Sequence, residues 1–579
     1  MQRSRNVTTT GQRQAPRSLN IHGEPRAGFG SRRSSTTRLR PVAAAWLTAA
    51  LLSGCVANGM PQPGAARSMP EVASIDGPRN EQSAQFWRDQ GQAAVDAARR
   101  AQPTGPARNV ILFVGDGMGV STVSAARILA GQLQGDPGEE NLLSFERFPR
   151  SALAKTYTTN QQTSDSAGTM TAMITGVKTL AGVISVDGSV TRGDCASSQG
   201  AGLPSLVELA EQAGLATGVV STARVTHATP AATFAKSPER NWEADSTMPA
   251  AAREAGCDDI ASQLLSFDHG DGIDVVLGGG RAMFLPAAAV DPEYDFLNGR
   301  RGDGRNLVDE WLAARPGAHY VWNDAQFRAI PDDGRPVLGL FEPSHMQFEA
   351  DRPRDPAGEP SLAEMTRLAI ERLDAKGTGY VLVVEAGRID HAHHASNAYR
   401  ALTDTIALSE AVDVATELTS EQDTLVLVTA DHSHTLTFAG YPTRGNPILG
   451  FVVTNDEQGR PMDSPWKDAF GQPFTTLAYG NGPGHQAASE SQPAGPKRGP
   501  HQFGTAAANP DGRSGLADID PTDPSYLQES VIPLGSETHA GEDVPVYVRG
   551  PGAGLLGGVI EQNVVYYILE AALGDALTR

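Results

Sequence analysis

Thr163-Ser164-Asp165-Ser166-Ala167-Gly168-Thr169 puts a serine directly after an aspartate, at the head of a small-residue run that predicts a helix over Gly168 to Gly176. A serine at a helix N-terminus lies where unpaired N–H groups and the dipole favour negative charge. That suits a nucleophilic alkoxide or a bound phosphoryl group. Alone, Asp165 or Ser166 reads more readily as a plain N-cap. Residues of metal-ligand type stand at four other places. They are Asp116 in Gly115–Gly119, the stretch from Glu385 to His394, Asp431-His432-Ser433-His434, and Glu537-Thr538-His539-Ala540-Gly541-Glu542-Asp543. Any one of these also reads as a solvated loop; all four beside Asp165-Ser166 point to a metal-ligand set.

The first three clusters each follow a continuous apolar run: Asn109 to Val114, Tyr380 to Val384 and Thr424 to Val428. Buried parallel strands look like this when functional groups gather at their carboxyl ends. The expected fold class is therefore α/β, with a mostly parallel central sheet flanked by helices. Glu81 to Arg100 has helical spacing through Phe86, Trp87, Ala93, Val95 and Ala97, and the α/β body is expected over 105–440. Over 441–530 Gly, Pro, Ser and Asn become frequent and periodicity weakens, with 485–526 reading as loop. The chain then returns to the core at His539 and the strand-like Val544 to Val548.

The chain has 579 residues and a net charge of -20. Residues 1 to 54 hold nine arginines and one glutamate, so the remainder carries 38 basic against 66 acidic residues. So acidic a body argues against specific binding of nucleic acid. It also repels phosphate esters at long range, so any phosphate site needs local cations. Residues 1–55 read as a targeting segment: arginines, a short apolar stretch from Pro41 to Leu52, then Leu52-Ser53-Gly54-Cys55. This is similar to a bacterial lipoprotein signal with Cys55 as the lipidated residue; a generic signal peptide cut nearby is the alternative. Arg32-Arg33 leaves twin-arginine export open. Residues 56–80, rich in Gly, Pro, Ala and Ser, read as a tether.

From about Gln85 to the C-terminus the chain resembles the alkaline phosphatases, the animal type in detail. The motifs above carry the likeness, together with Gly339-Leu340-Phe341-Glu342-Pro343 and Asp274-Val275-Val276-Leu277-Gly278-Gly279-Gly280-Arg281. The resemblance implies one catalytic domain over 81–579, with 441–530 as a crown-like surface insertion near a homodimer interface. It implies hydrolysis of phosphate monoesters through a phosphoserine on Ser166, with inorganic phosphate as product inhibitor. Arg240 is implied to hold the phosphate in a bidentate fork. Two zinc ions are implied, one on Asp390, His394 and His539, the other on Asp116, Asp431 and His432. A magnesium is implied on Asp116, Thr229 and Glu385, whose oxygens suit it. Asp165, His227 and His391 would stand close behind the phosphate and the third metal. Relative to the enterobacterial pattern, His227 replaces an aspartate and His391 a lysine. Glu293, the Phe341 carbonyl, Glu342 and Glu359 align with the calcium site of animal-type relatives; a set of exposed acids is the competing reading. His393 and His434 read as supporting or surface groups. Animal-type relatives also pair cysteines in contexts like those of Cys195 and Cys257, and an exported protein permits that disulfide; two buried free thiols are the alternative.

Other hydrolases offer competing readings. A sulfatase would carry a C/S-x-P-x-R motif, which the sequence lacks. A phosphodiesterase would not need a group like Arg240. A catalytically dead, metal-binding surface lipoprotein would need a broken ligand or nucleophile, yet every position is filled.

Overall fold

In the computed structural model, which describes residues 83–101, 105–468, 471–485 and 519–578, the three apolar runs are neighbouring strands. The main sheet has ten strands: β1 (Asn109–Gly115), β2 (Arg150–Lys155), β3 (Ala216–Arg224), β4 (Val275–Gly279), β5 (His319–Val321), β6 (Val337–Leu340), β7 (Tyr380–Ala386) and β8 (Thr424–Ala430), with β14 (Val544–Arg549) and β15 (Val559–Glu561). Their order is β15-β2-β14-β8-β1-β7-β3-β4-β6-β5. Among these strands only β14 runs against its neighbours. Every residue of β1, β7 and β8 is buried. Strands covered on both faces have no polar face to display, which is why their sequences read as unbroken apolar runs.

Register aligns the chemistry. Gly115 of β1 pairs with Ala386 of β7 and Ala430 of β8. Asp116 and Asp431 therefore leave the sheet at the same level, with Glu385, level with Val114, two residues below. This is the carboxyl edge where open α/β sheets hold ligands.

Smaller elements complete the framework. β9 (Ser433–His434) pairs antiparallel with β13 (His539–Ala540), setting His539 opposite His434. A three-stranded sheet of β10 (Leu436–Phe438), β11 (Leu477–Gly482) and β12 (Ser530–Pro533) frames the expected insertion. Sequence periodicity gave no sign of β11, whose burial does not alternate strictly. Of the expected 485–526 loop, residues 486–518 lie outside the described residues, as do Arg32-Arg33, Cys55 and the 56–80 tether. The N-terminal helix spans Ala84–Ala101 and buries Trp87 and Val95. Asn563 ties it to the body by donating to the carbonyls of Trp87 and Gly176. Among the described residues no helix is long and apolar enough to cross a membrane. Cys195 and Cys257 form a disulfide, with Cα atoms 5.9 Å apart.

Candidate metal centre and nucleophile

Asp165 caps the helix Ser166–Thr175, which starts two residues before the predicted Gly168 and is closed by Gly176 in the left-handed conformation. The early start is capping chemistry: the Asp165 carboxylate accepts the Gly168 N–H at 3.2 Å. It also accepts from Gly182 N–H and, at 2.9 Å, from Arg240 Nη1. Ser166 is thereby held at the first helical position, 1% exposed. Its Oγ lies 3.2 Å from His432 Nε2 and 3.4 Å from Asp116 Oδ1.

Around that hydroxyl the buried groups are short of cations. His432 Nε2 lies 3.2 Å from Asp431 Oδ2 and 3.4 Å from Asp116 Oδ1. Asp116 Oδ2 and Glu385 Oε1 are buried with no hydrogen-bond partner. Burial, then Asp431, Asp390 and Glu385, push the Asp116 carboxyl well above the usual carboxylate range. Burial pushes Glu385 to about 7, partly offset by the Ser221 and Thr229 hydroxyls. Acidic oxygens crowded without partners are what a multivalent cation would satisfy.

The second cluster shows the same need through proton bookkeeping. His394 Nδ1 faces the Glu537 carbonyl at 2.5 Å, and His539 Nδ1 faces the Ser164 carbonyl at 2.7 Å. A carbonyl only accepts, so each Nδ1 carries the proton and each Nε2 offers a bare lone pair. Those two Nε2 atoms approach to 3.2 Å, each 3.3 Å from Asp390 Oδ1. Three acceptors aimed at one point are a cation site, and imidazole with carboxylate suits zinc. The clusters adjoin, the His432 and His539 rings stacking at 3.6 Å.

His434 is near enough to Asp390, His394 and His539 to count as a fourth ligand. Its partners argue otherwise. Nε2 contacts Asp390 Oδ1 at 2.7 Å and Nδ1 contacts the Glu537 carboxylate. Although burial disfavours its charge, Glu537 and Asp390 push its pKa up to about 10. Both nitrogens are committed as donors, so His434 braces Asp390. His393 is likewise buried, with Thr122 Oγ1 3.0 Å from Nε2 and the Tyr479 hydroxyl 2.7 Å from Nδ1. Neither histidine is a surface group.

The residues around Arg240 also converge. Arg240 Nη2 lies 3.1 Å from His227 Nε2. His227 groups with Asp116 and Glu385, and Thr229 is fully buried two residues on. His391 Nδ1 accepts from Arg388 Nη1 at 3.1 Å. Burial, then neighbouring arginine charge, hold His227 and His391 well below the usual histidine range. The His345 ring lies 4.0 Å from His391, tilted against it, and 5.3 Å from His227. Nothing in the sequence marked it, because only the fold brings its loop to this wall.

Of the candidate calcium ligands, Glu293 and Glu342 come together, and the third carboxylate beside them is Asp355. Glu359 is buried, with one oxygen accepting the Gln347 N–H and the other unpartnered. The Phe341 carbonyl accepts from Arg281 Nη1 at 2.9 Å. Burial is the leading cause that pushes Glu342 to about 8.

Comparison with known proteins accords with this geometry. The alkaline phosphatase family model matches residues 107–574. The tissue-nonspecific alkaline phosphatase of Gallus gallus is 43% identical over 504 residues, 86% of this chain and 90% of the relative. The Homo sapiens enzyme of the same name is 42% identical, covering 86% and 89%. The Gadus morhua alkaline phosphatase is 41% identical, covering 86% and 98%. Among solved structures, the alkaline phosphatase of Thermus thermophilus aligns with TM-score 0.56 at 26% identity, covering 82% of this chain and 94% of that one. That of the Antarctic bacterium TAB5 aligns with TM-score 0.52 at 20% identity, covering 81% and 98%.

Proposed function

Because this chain belongs to the alkaline phosphatase family, and is thus a metal-dependent enzyme that hydrolyses phosphate monoesters, we propose how its own residues divide that work. Ser166 is the nucleophile. Asp390, His394 and His539 hold one zinc, Asp116, Asp431 and His432 the other. Asp116, Thr229 and Glu385 hold a magnesium, with His227 beside it. Bound there, the metals supply Lewis-acid chemistry: they lower the pKa of a hydroxyl or water and stabilise a leaving oxygen.

The chain's residues do the rest. Asp165 caps the helix and orients Arg240. Arg240 presents its remaining N–H groups to two phosphate oxygens. Ser166 Oγ attacks phosphorus in line, forming the serine ester as the bond to the leaving alcohol breaks. Water then cleaves the phosphoserine, returning the Ser166 hydroxyl and releasing inorganic phosphate, which competes with substrate. The neutral imidazoles of His227 and His391 add donors to this wall without fixed charge.

One observation carries the assignment. Ser166 Oγ lies within 3.5 Å of both His432 and Asp116, and these are the groups whose lone pairs lack a cation. The test is to quench wild-type enzyme in acid with labelled phosphate and map the label. We expect it on Ser166; label on any other residue overturns the assignment.

Three further readings stand with this one. Oxygens of Glu293 and Glu342 suit a calcium, with Asp355 better placed than Glu359 as the third carboxylate; calcium-dependent protection against heat, lost in Glu342→Gln, would check it. The enzyme is exported and tethered by lipid at Cys55, as Leu52-Ser53-Gly54-Cys55 supports; an unmodified mature N-terminus beyond residue 55 by mass spectrometry refutes that. It works as a homodimer, which light scattering tests directly.

A further inference from the structure

Behind the Asp390–His394–His539 cluster lies a residue that no metal would touch. Glu537 is 1% exposed and grips the cluster in two ways. Its backbone carbonyl fixes the His394 ring, and its N–H donates to the His394 carbonyl at 2.8 Å. Its carboxylate is split between two supports. Oε1 accepts from Thr435 N–H at 2.7 Å and from the Thr435 hydroxyl at 2.5 Å. Oε2 accepts from His434, whose other nitrogen donates to Asp390 Oδ1 at 2.7 Å. The β9–β13 pairing then sets His539 against His434, two residues beyond Glu537. One residue is thereby linked to each of the three proposed ligands.

We infer that Glu537 is a positioning residue for this metal, acting on Asp390 through His434 and on His394 through its own backbone. The inference rests on the reading that Asp390, His394 and His539 hold one zinc. Only a carboxylate serves at 537. The Thr435 N–H and the inward His434 N–H are both donors, and each needs an oxygen. An amide has one oxygen and would turn its NH2 group toward one of those donors. Groups that orient metal ligands in this way are worth about 10- to 100-fold in metal affinity.

The experiment measures zinc binding to the full chain by competition with a chromophoric chelator, and the visible spectrum of the cobalt-substituted protein. Glu537→Gln should weaken zinc at this site about 10- to 100-fold and shift the cobalt bands. It should leave zinc at the Asp116–Asp431–His432 site within about threefold. His434→Gln should do the same, and the double variant should bind no more than about threefold worse than His434→Gln alone. Asp390→Asn separates the two ideas. If it binds zinc like wild type, the ligand reading itself fails. If Asp390→Asn loses the site while Glu537→Gln keeps wild-type affinity and spectrum, the positioning inference is overturned. Should Glu537→Gln not fold, unchanged zinc affinity in His434→Gln overturns it equally.

Discussion

Arg240→Ala should weaken competitive inhibition by inorganic phosphate by about 10- to 150-fold. A guanidinium has five N–H donors in a rigid fork. Here one points to Asp165 at 2.9 Å and one lies against His227 Nε2 at 3.1 Å, and the rest remain for a phosphoryl group. Removing a charge-assisted pair costs roughly 1.5–3 kcal/mol, about one to two orders of magnitude in affinity. Arg240→Lys keeps the charge but not the fork, and should recover less than the whole loss. Asp165→Asn leaves Arg240 present but less firmly oriented, and should cost a few-fold, about the worth of one weakened hydrogen bond. The assay is the phosphate inhibition constant at fixed pH, read beside zinc per chain by elemental analysis. Zinc content should not change, because Arg240 is no ligand. Unchanged phosphate inhibition in Arg240→Ala would remove the residue from the site. A parallel fall in zinc content would instead make it structural.

Dialysis against a strong chelator should abolish phosphomonoesterase activity, and zinc with magnesium should restore it; full activity in verified metal-free protein contradicts the reading. His227→Asp with His391→Lys adds a carboxylate beside Asp116 and Glu385 and a cation near the phosphate. It should tighten both magnesium and phosphate and lower the maximal rate, and titrations showing both bound as weakly as in wild type would refute the charge argument. Glu211, buried at the end of its helix, has its carboxyl pushed up to about 8, by burial first. A folded pKa above the unfolded 4.5 means that this contribution to stability is complete below pH 4.5 and fades as pH rises through 8. Glu211→Gln at constant metal content should therefore flatten the decline in melting temperature between pH 5 and 8, and parallel curves for the two proteins would count against it.

What the sequence revealed followed from how local each feature was. β1, β7 and β8 were legible because burial on both faces leaves an unmistakable apolar run. Asp165-Ser166 was legible because capping is settled within four residues. The fold and the family reading agree with what the apolar runs and motifs implied. Less local features stayed hidden. His345 reaches His391 only because the fold packs its loop against the helix Arg388–His394. Asp355 joins Glu293 and Glu342 through a loop whose course no periodicity betrays. β11 lies in a segment without alternation. Glu537 stands just before the short strand His539–Ala540, so its reach to His434 and Thr435 comes from tertiary placement and not from strand alternation.

Electrostatics then ties metal to phosphate. The chain beyond residue 54 carries 66 acidic against 38 basic residues, and the centre itself gathers Asp116, Asp390, Asp431 and Glu385. Against these stand Arg240, already paired with Asp165, His434, held between Asp390 and Glu537, and imidazoles at 227 and 391 that burial keeps neutral. Without added cations such a site would repel a phosphate dianion, whatever its shape. On the proposed reading the attraction comes from the metals, and coupling of that kind is reciprocal. If zinc raises the affinity for inorganic phosphate by some factor, phosphate must raise the affinity for zinc by the same factor. On that reading the acidic centre makes anion binding conditional on metal loading, and a chelator titration run with and without phosphate would read that coupling directly.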